Sequence, residues 1–236
     1  MRRSKQFSAI LSGLVLAGGC MLMHGARAGA GVSGPILPYT SFADSPFNGG
    51  NFTYFHLETF EEGALTAPGV TASAGAAIGP TGLTDSVDGG GDNGHSFFSG
   101  DGAGGVTFTF DKAVLGSLPT VAGIAWTDGE LAIHFSAKDA NGVSLGTIND
   151  SSGHGFSGGD GNPNNYRLFT ATNATGISSI TISNDSGGIE LDHLQYGLAG
   201  TSIVTSSVPV PAGFWIGLTG LVLAGSKILT VRSRRA

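Results

Sequence analysis

The chain has 236 residues, of which 41 are glycine, 12% are charged and 40% are apolar, with a formal net charge of −6. Glycine at more than twice its usual ~7% excludes a helix-rich fold, because each interior glycine costs a helix about 1 kcal/mol, and the lack of a three-residue glycine period excludes collagen. The charge is unevenly placed: four basic residues lie within 1–28 and four beyond 226, while 29–208 holds all 17 acids with only Lys112, Lys138 and Arg167, a net −14 that argues against nucleic acid or anionic lipid as a partner.

In chain order, the first predicted element is a secretory signal helix over 1–28. It has a basic start (Arg2, Arg3, Lys5), an apolar run from Phe7 to Leu22 and the small-residue exit Ala26-Arg27-Ala28, which sets cleavage after Ala28. The only cysteine, Cys20, lies inside this leader. Leu16 stands four residues before it, where lipoprotein signals place the large aliphatic residue three before. The mature chain is therefore expected to hold no cysteine, hence no disulfide and no thiolate ligand.

The body, 29–199, is expected to be all-β. Strands are predicted at 52–60, 106–110, 120–126, 130–138, 143–148, 166–171, 176–183 and 188–196 from period-two alternation such as Val106, Phe108, Phe110 and Leu131, Ile133, Phe135. Asp139-Ala140-Asn141-Gly142 reads as the turn of a hairpin. This count gives a two-sheet antiparallel β-sandwich, jelly-roll-like, with a Greek-key immunoglobulin-like sandwich as the alternative.

Two loops, 85–105 and 149–165, hold much of the glycine and acid and share an echo, GHSFFSGDG at 94–102 against GHGFSGGDG at 153–161. Long loops in compact domains tend to be functional or disordered. On the functional reading His95, Phe97, His154 and Phe156 present a ligand surface, and Asp88, Asp92, Asp101 and Asp160 offer oxygens to calcium. On the plain reading these loops only turn and solvate.

No catalytic residue is assigned. The five histidines beyond the leader form no H-E-x-x-H pair, and no G-x-S-x-G elbow occurs. Glu190 and Asp192 share one strand face about 7 Å apart, and paired carboxylates can hydrolyse glycosides; any i, i+2 acid pair has that spacing.

After a polar tether at 200–207, the segment 212–231 is long enough for a transmembrane helix of ~20 residues, with Lys227 snorkelling and Arg232, Arg234 and Arg235 holding the C-terminus inside. The two prolines of Val208-Pro209-Val210-Pro211-Ala212 keep the preceding backbone extended and open to a protease.

This ordered end, motif then hydrophobic segment then arginine cluster, resembles the PEP-CTERM family of sorting signals, in its Val-Pro-Leu-Pro-Ala variant with valine at 210. The resemblance implies a Gram-negative exported protein, an inner-membrane intermediate, signal peptidase and exosortase as processing partners, and a destination at the cell surface or outside the cell, often beside exopolysaccharide. In the body, Phe60-Glu61-Glu62-Gly63-Ala64-Leu65 and Ile189-Glu190-Leu191-Asp192-His193-Leu194-Gln195-Tyr196 resemble the paired ends of carbohydrate-binding jelly rolls. That resemblance implies Glu61 and Asp192 as side-chain ligands of a structural Ca2+, an ion that takes six to eight oxygens. The alternative for both is a solvent-facing strand end.

The expectation is thus a non-enzymatic, exosortase-processed surface or matrix protein with a carbohydrate-binding-module-like sandwich. An inert matrix protein would lack glycan affinity, and a secreted glycoside hydrolase would lose turnover on changing Glu190 or Asp192.

Overall fold

The computed structural model describes residues 29–81, 84–89, 93–151 and 162–200. The signal segment with Ala26 and Ala28, the sorting motif Val208, Pro209, Val210, Pro211 and Ala212, the arginines Arg232, Arg234 and Arg235, and Asp92, His154, Phe156 and Asp160 lie outside the described residues. No helix among the described residues is long and apolar enough to cross a membrane.

The described chain is mostly antiparallel β-sheet. Its strands are β1 (Gly31–Ile36), β2 (Phe52–Glu58), β3 (Val70–Ala72), β4 (Ala76–Ile78), β5 (Ser96–Ser99), β6 (Val106–Phe110), β7 (Val121–Asp139), β8 (Ser144–Asp150), β9 (Arg167–Thr172) and β10 (Ile177–Ala199). The one described α-helix is a single turn, α1 (Lys112–Leu115), capped by the Asp111 side chain, which accepts from Ala113 N–H at 2.8 Å.

Two strands organise the rest. β7 spans 19 residues and β10 spans 23, and they pair with each other from Ile177↔Asp139 to Gly197↔Val121. The segments 126–130 and 184–188, which read as breaks between separate strands, are bulges within continuous ones. Gly129 (φ 157), Gly187 (φ 71) and Leu131 (φ 66) take the bend, and register shifts occur on both sides of Ser186. A bulge inserts an unpaired residue and turns the strand without ending it. Leu131 falls out of the expected inward phase at this bend and is 51% exposed.

Because β7 and β10 bend, the sheet folds over its own core. The second half of β7 pairs with β8 and the first half of β10, which pairs with β6, and β6 with β3. The first half of β7 pairs with β9, itself paired with β1, and with the second half of β10, which also pairs with β2 and β5. The layers face each other through Phe135 on Phe169 (5.7 Å), Phe97 on Phe108 (5.5 Å) and Phe110 on Tyr196 (5.0 Å between ring centroids). The expected two sheets are thus joined in one hydrogen-bonded sheet of ten strands. Arg167, 1% exposed, forms an ion pair with Asp150 at 3.0 Å and lies over the Trp126 ring; removing one partner of such a buried pair leaves an uncompensated charge.

Candidate functional site

A polar network covers the outer face of β10 between Glu190 and Gln195. Leu191, Leu194 and Tyr196 belong to the inner core. At His193 the backbone enters the left-handed region (φ 47), and β10 gains a residue against β7 between Asp192↔Ala125 and Gln195↔Gly123. This bulge lets two consecutive side chains, Asp192 and His193, reach the same outer network.

Residues 84–89 lie over that face and are tied to it by successive bonds. Asp85 N–H donates to Glu190 Oε1 (2.7 Å), Val87 N–H donates to Asp192 Oδ2 (2.8 Å), and Asp88 Oδ2 lies 2.9 Å from His193 Nε2. Ser96 Oγ also donates to Glu190 Oε1. The neighbouring turn is built by Glu58, whose carboxylate accepts from Phe60 N–H (3.0 Å), Thr66 N–H (2.6 Å) and Ala67 N–H (2.6 Å). That turn aims Glu61 at the same place. Gly94 closes it, since a Cβ there would come within 2.2 Å of Ser86 Oγ and 2.8 Å of Glu61 Oε1.

Glu61 and Asp192 are bridged by one hydroxyl. Ser86 Oγ lies 3.2 Å from Glu61 Oε1 and 3.3 Å from Asp192 Oδ2. Other protein donors engage the pair too: His95 N–H donates to Glu61 Oε1 (2.8 Å) and His193 N–H to Asp192 Oδ1 (2.6 Å). With N–H and O–H groups on these oxygens, the pair fits a hydrogen-bonded clasp better than a calcium cage. Burial lifts the Asp192 carboxyl to about 7, against the lowering effect of His193 and the Val87 amide.

From His193 a chain of bonds runs into the interior. Ser45 Oγ donates to Gln195 Oε1 (2.5 Å), Gln195 Nε2 donates to Tyr39 Oη (2.8 Å), and Tyr39 Oη lies 2.8 Å from His193 Nδ1. Tyr39 Oη thus sits between the Gln195 amide and His193 Nδ1, while His193 Nε2 faces Asp88 Oδ2. Burial pushes the Tyr39 phenol far above its usual value, so it stays a neutral donor.

Beside this network, Asp85, Asp128 and Glu190 each bring an oxygen within 4.8 Å of the other two. Asp128 and Glu190 are direct cross-strand partners. Burial, with the charges of Asp85 and Asp128, raises the Glu190 carboxyl to about 7 against the lowering bonds from Ser96 and Asp85 N–H. The sequence signalled this trio only in part. Glu190 stood out as half of an i, i+2 pair, but nothing in the spacing links Asp85 or Asp128 to it.

The expected ligand residues are not all where the sequence put them. His95 is half-buried, with Nδ1 3.4 Å from Glu61 Oε2. Phe97 is a correction: the expected loop contains strand β5, and Phe97 is 2% exposed, packed between Phe60 and Phe108. Its neighbour Phe98 faces outward, 38% exposed, as period-two alternation requires. Asp88 joins the network; Asp101 instead holds its own turn, accepting from Gly104 N–H at 2.8 Å. Trp126, an aromatic side chain suited to stacking on a sugar, is buried at 2%.

No family model and no curated protein matches the chain. Among solved structures, the chain is similar to the K1 cleaved adhesin domain of Lys-gingipain from Porphyromonas gingivalis, at 13% identity and TM-score 0.41, over 62% of this chain and 99% of that one. It is also similar to the C-terminal family 22 carbohydrate binding module of Clostridium thermocellum Xyn10B, at 12% identity and TM-score 0.35, over 65% and 96%. A third is the catalytic domain of a GH87 alpha-1,3-glucanase, at 16% identity and TM-score 0.36, over 64% of this chain and 29% of that one. At scores of this size no function is transferred from any of them.

Proposed function

We propose that this is an exported, exosortase-processed cell-surface or matrix protein whose jelly-roll-like β-sandwich binds extracellular polysaccharide, with a divalent cation such as Ca2+ steadying residues 84–89. The observation that carries the reading lies in the sequence, an acidic body of net −14 between two apolar ends that hold eight of the 11 basic residues. Among the described residues the strands of that body run from Gly31 to Ala199. A cysteine-free acidic body between a leader and a sorting end suits a non-catalytic surface module. Glu190 and Asp192 are 4% and 0% exposed and bonded to residues 84–89, which supports a structural part for them over glycoside hydrolysis.

For the cation, the reading moves from Glu61 and Asp192 to Asp85, Asp128 and Glu190. Two oxygens about 2.4 Å from one Ca2+ lie at most roughly 4.8 Å apart, and the three oxygens here lie within that limit of one another. An ion there would offset the mutual repulsion of three crowded carboxylates.

Two measurements test this. The intact mass of the exported protein should lack residues 1–28 and the arginine tail; a product retaining Arg232, Arg234 and Arg235 rules out the sorting assignment. The full-length chain, screened against a glycan array with calcium and with chelator, should retain polysaccharide. Binding to no glycan in either condition favours the inert matrix protein instead.

A further inference from the structure

At the far end of β7 and β10 from the acid network, a cavity of about 460 Å³ opens between α1, the segment Ser117–Thr120, the β7–β8 turn and the β9–β10 turn. Its walls include Lys112, Ser117, Leu118, Asn141, Thr175 and Leu198. We propose that this cavity binds a saccharide unit carrying a carboxylate, a uronic acid residue of an acidic polysaccharide. The proposal rests on the polysaccharide-binding reading above and deepens it by naming the sugar class and the site.

The first argument is charge placement. Only Lys112, Lys138 and Arg167 are basic between residues 29 and 208. Arg167 is committed to Asp150 inside the fold. Both lysines are exposed and neither forms an ion pair among the described residues. Lys112 lines the cavity, and Lys138 stands just before the turn that supplies Ala140 and Asn141. Asp111 caps α1 and Asp139 Oδ1 accepts from Asn141 N–H and Val143 N–H, each at 2.8 Å, so the oxygens of both acids are engaged by backbone and not by a lysine. In a body of net −14, the one basic side chain lining this cavity, Lys112, is an unpaired ammonium among the described residues.

The second argument is the set of groups a pyranose needs. The Lys112 ammonium, the Ser117 hydroxyl and the Asn141 carboxamide have no side-chain hydrogen bond to another described residue, so all three are free for a ligand. A carboxylate accepts from the ammonium in a charge-assisted bond. The carboxamide both donates and accepts, matching vicinal ring hydroxyls. Leu118 and Leu198 supply apolar wall for a sugar's C–H face. A cavity of this volume lies within the usual range of ~300–1,000 Å³ for small-ligand sites.

The third argument is rigidity. The floor is held by backbone bonds that no ligand needs to form: Asn173 N–H to Thr120 O (2.9 Å), Ile177 N–H to Pro119 O (2.8 Å) and Thr120 N–H to Gly197 O (2.8 Å). Asn173 Nδ2 donates to Gly176 O at 2.8 Å, and Tyr54 Oη donates to Ser117 O at 2.7 Å. Gly176 (φ 105) cannot be enlarged, because a Cβ would lie 2.9 Å from Leu118 Cβ. A preformed floor lowers the ordering cost of binding.

The test is calorimetric titration of the full-length chain with an oligogalacturonate and with the same oligosaccharide after its carboxyls are reduced to alcohols. Expected is binding of the acidic form, a drop of roughly tenfold or more on carboxyl reduction, and a similar drop in Lys112→Met. Asn141→Ala should weaken both forms together, and the exposed Val114→Ala should change neither. Equal affinity for the two forms, or wild-type affinity in a folded Lys112→Met protein, overturns the uronate site and leaves polysaccharide binding standing. Failure to bind these and every neutral glycan overturns the reading on which the site rests.

Discussion

Replacing Glu190 with glutamine should make the protein more stable at pH 8 and by far less at pH 5. Burial and the carboxylates of Asp85 and Asp128 raise Glu190 from 4.5 to about 7. A carboxyl whose folded pKa exceeds its unfolded one stabilises the fold fully below the unfolded value. It loses that contribution as pH rises through the folded value. The window therefore runs from about pH 4.5 to about pH 7, and stability falls across it. At ~1.4 kcal/mol for each tenfold change in proton affinity, the loss is at most ~3.5 kcal/mol. In a domain of this size that is roughly 7–14 °C in Tm. Glutamine keeps the Oε1 acceptor for Asp85 N–H and Ser96 Oγ, and it places an amide donor where the third carboxylate crowded the other two. Thermal melts in chelator from pH 5 to pH 8 should show the wild type declining and Glu190→Gln declining less, since Asp192 still titrates in the variant. A variant less stable than wild type at pH 8 in chelator would refute the reasoning. With calcium present the order should reverse, because the ion binds only the native trio and each hundredfold excess over Kd adds ~2.7 kcal/mol.

Phe97→Ala should cost about 3–5 kcal/mol and Phe98→Ala less than half of that, measured by denaturant melts, because only Phe97 lies in the core. Tyr39→Phe should cost roughly 1–3 kcal/mol by the same assay, since it strands Gln195 Nε2 and His193 Nδ1 together. It should also move the His193 imidazole resonances in NMR spectra. Arg167→Met should cost about 3–5 kcal/mol, with Asp150→Asn in the same background recovering part of it, because the lone buried carboxylate is what destabilises.

The all-β antiparallel class was legible because the longer strands alternate cleanly: Val106, Phe108 and Phe110 are all buried. The Asp139–Gly142 turn was legible from its residue types. Strands β1, β3 and β4 were not, because GVSGPI, VTA and AAI are too short or too rich in small residues to show a period. β5 was hidden inside a glycine-rich stretch, and there the choice between Phe97 and Phe98 depends on which strand face meets the core. The bends in β7 and β10 read as breaks because Asp-Gly and Ser-Gly-Gly are turn chemistry; only pairing between the two strands converts them to bulges. In the site, the resemblance to the paired ends of jelly rolls pointed to Glu61, on the turn after β2, and Asp192, in β10, as neighbours, and one hydroxyl does bridge them. Ser86, Tyr39 and Asp85 depend on how residues 84–89 lie over β10, a tertiary relation without a local pattern.

Of the two strands that serve both layers, β10 is also the last strand among the described residues. β10 supplies pairing partners to β2, β5, β6 and β7, so a nascent chain ending at residue 176 lacks the middle of its own sheet. Its earlier strands can pair in part, β1 with β9, β3 with β6, β4 with β5 and β7 with β8 and β9, but β2 and one edge each of β5, β6 and β7 stay open until the final 23-residue segment arrives. Folding of this kind is delayed by chain order alone, since distant partners must be delivered before closure repays its entropy. On the export route proposed above, a chain threaded through a membrane unfolded would gain from that delay, because its central strand comes late.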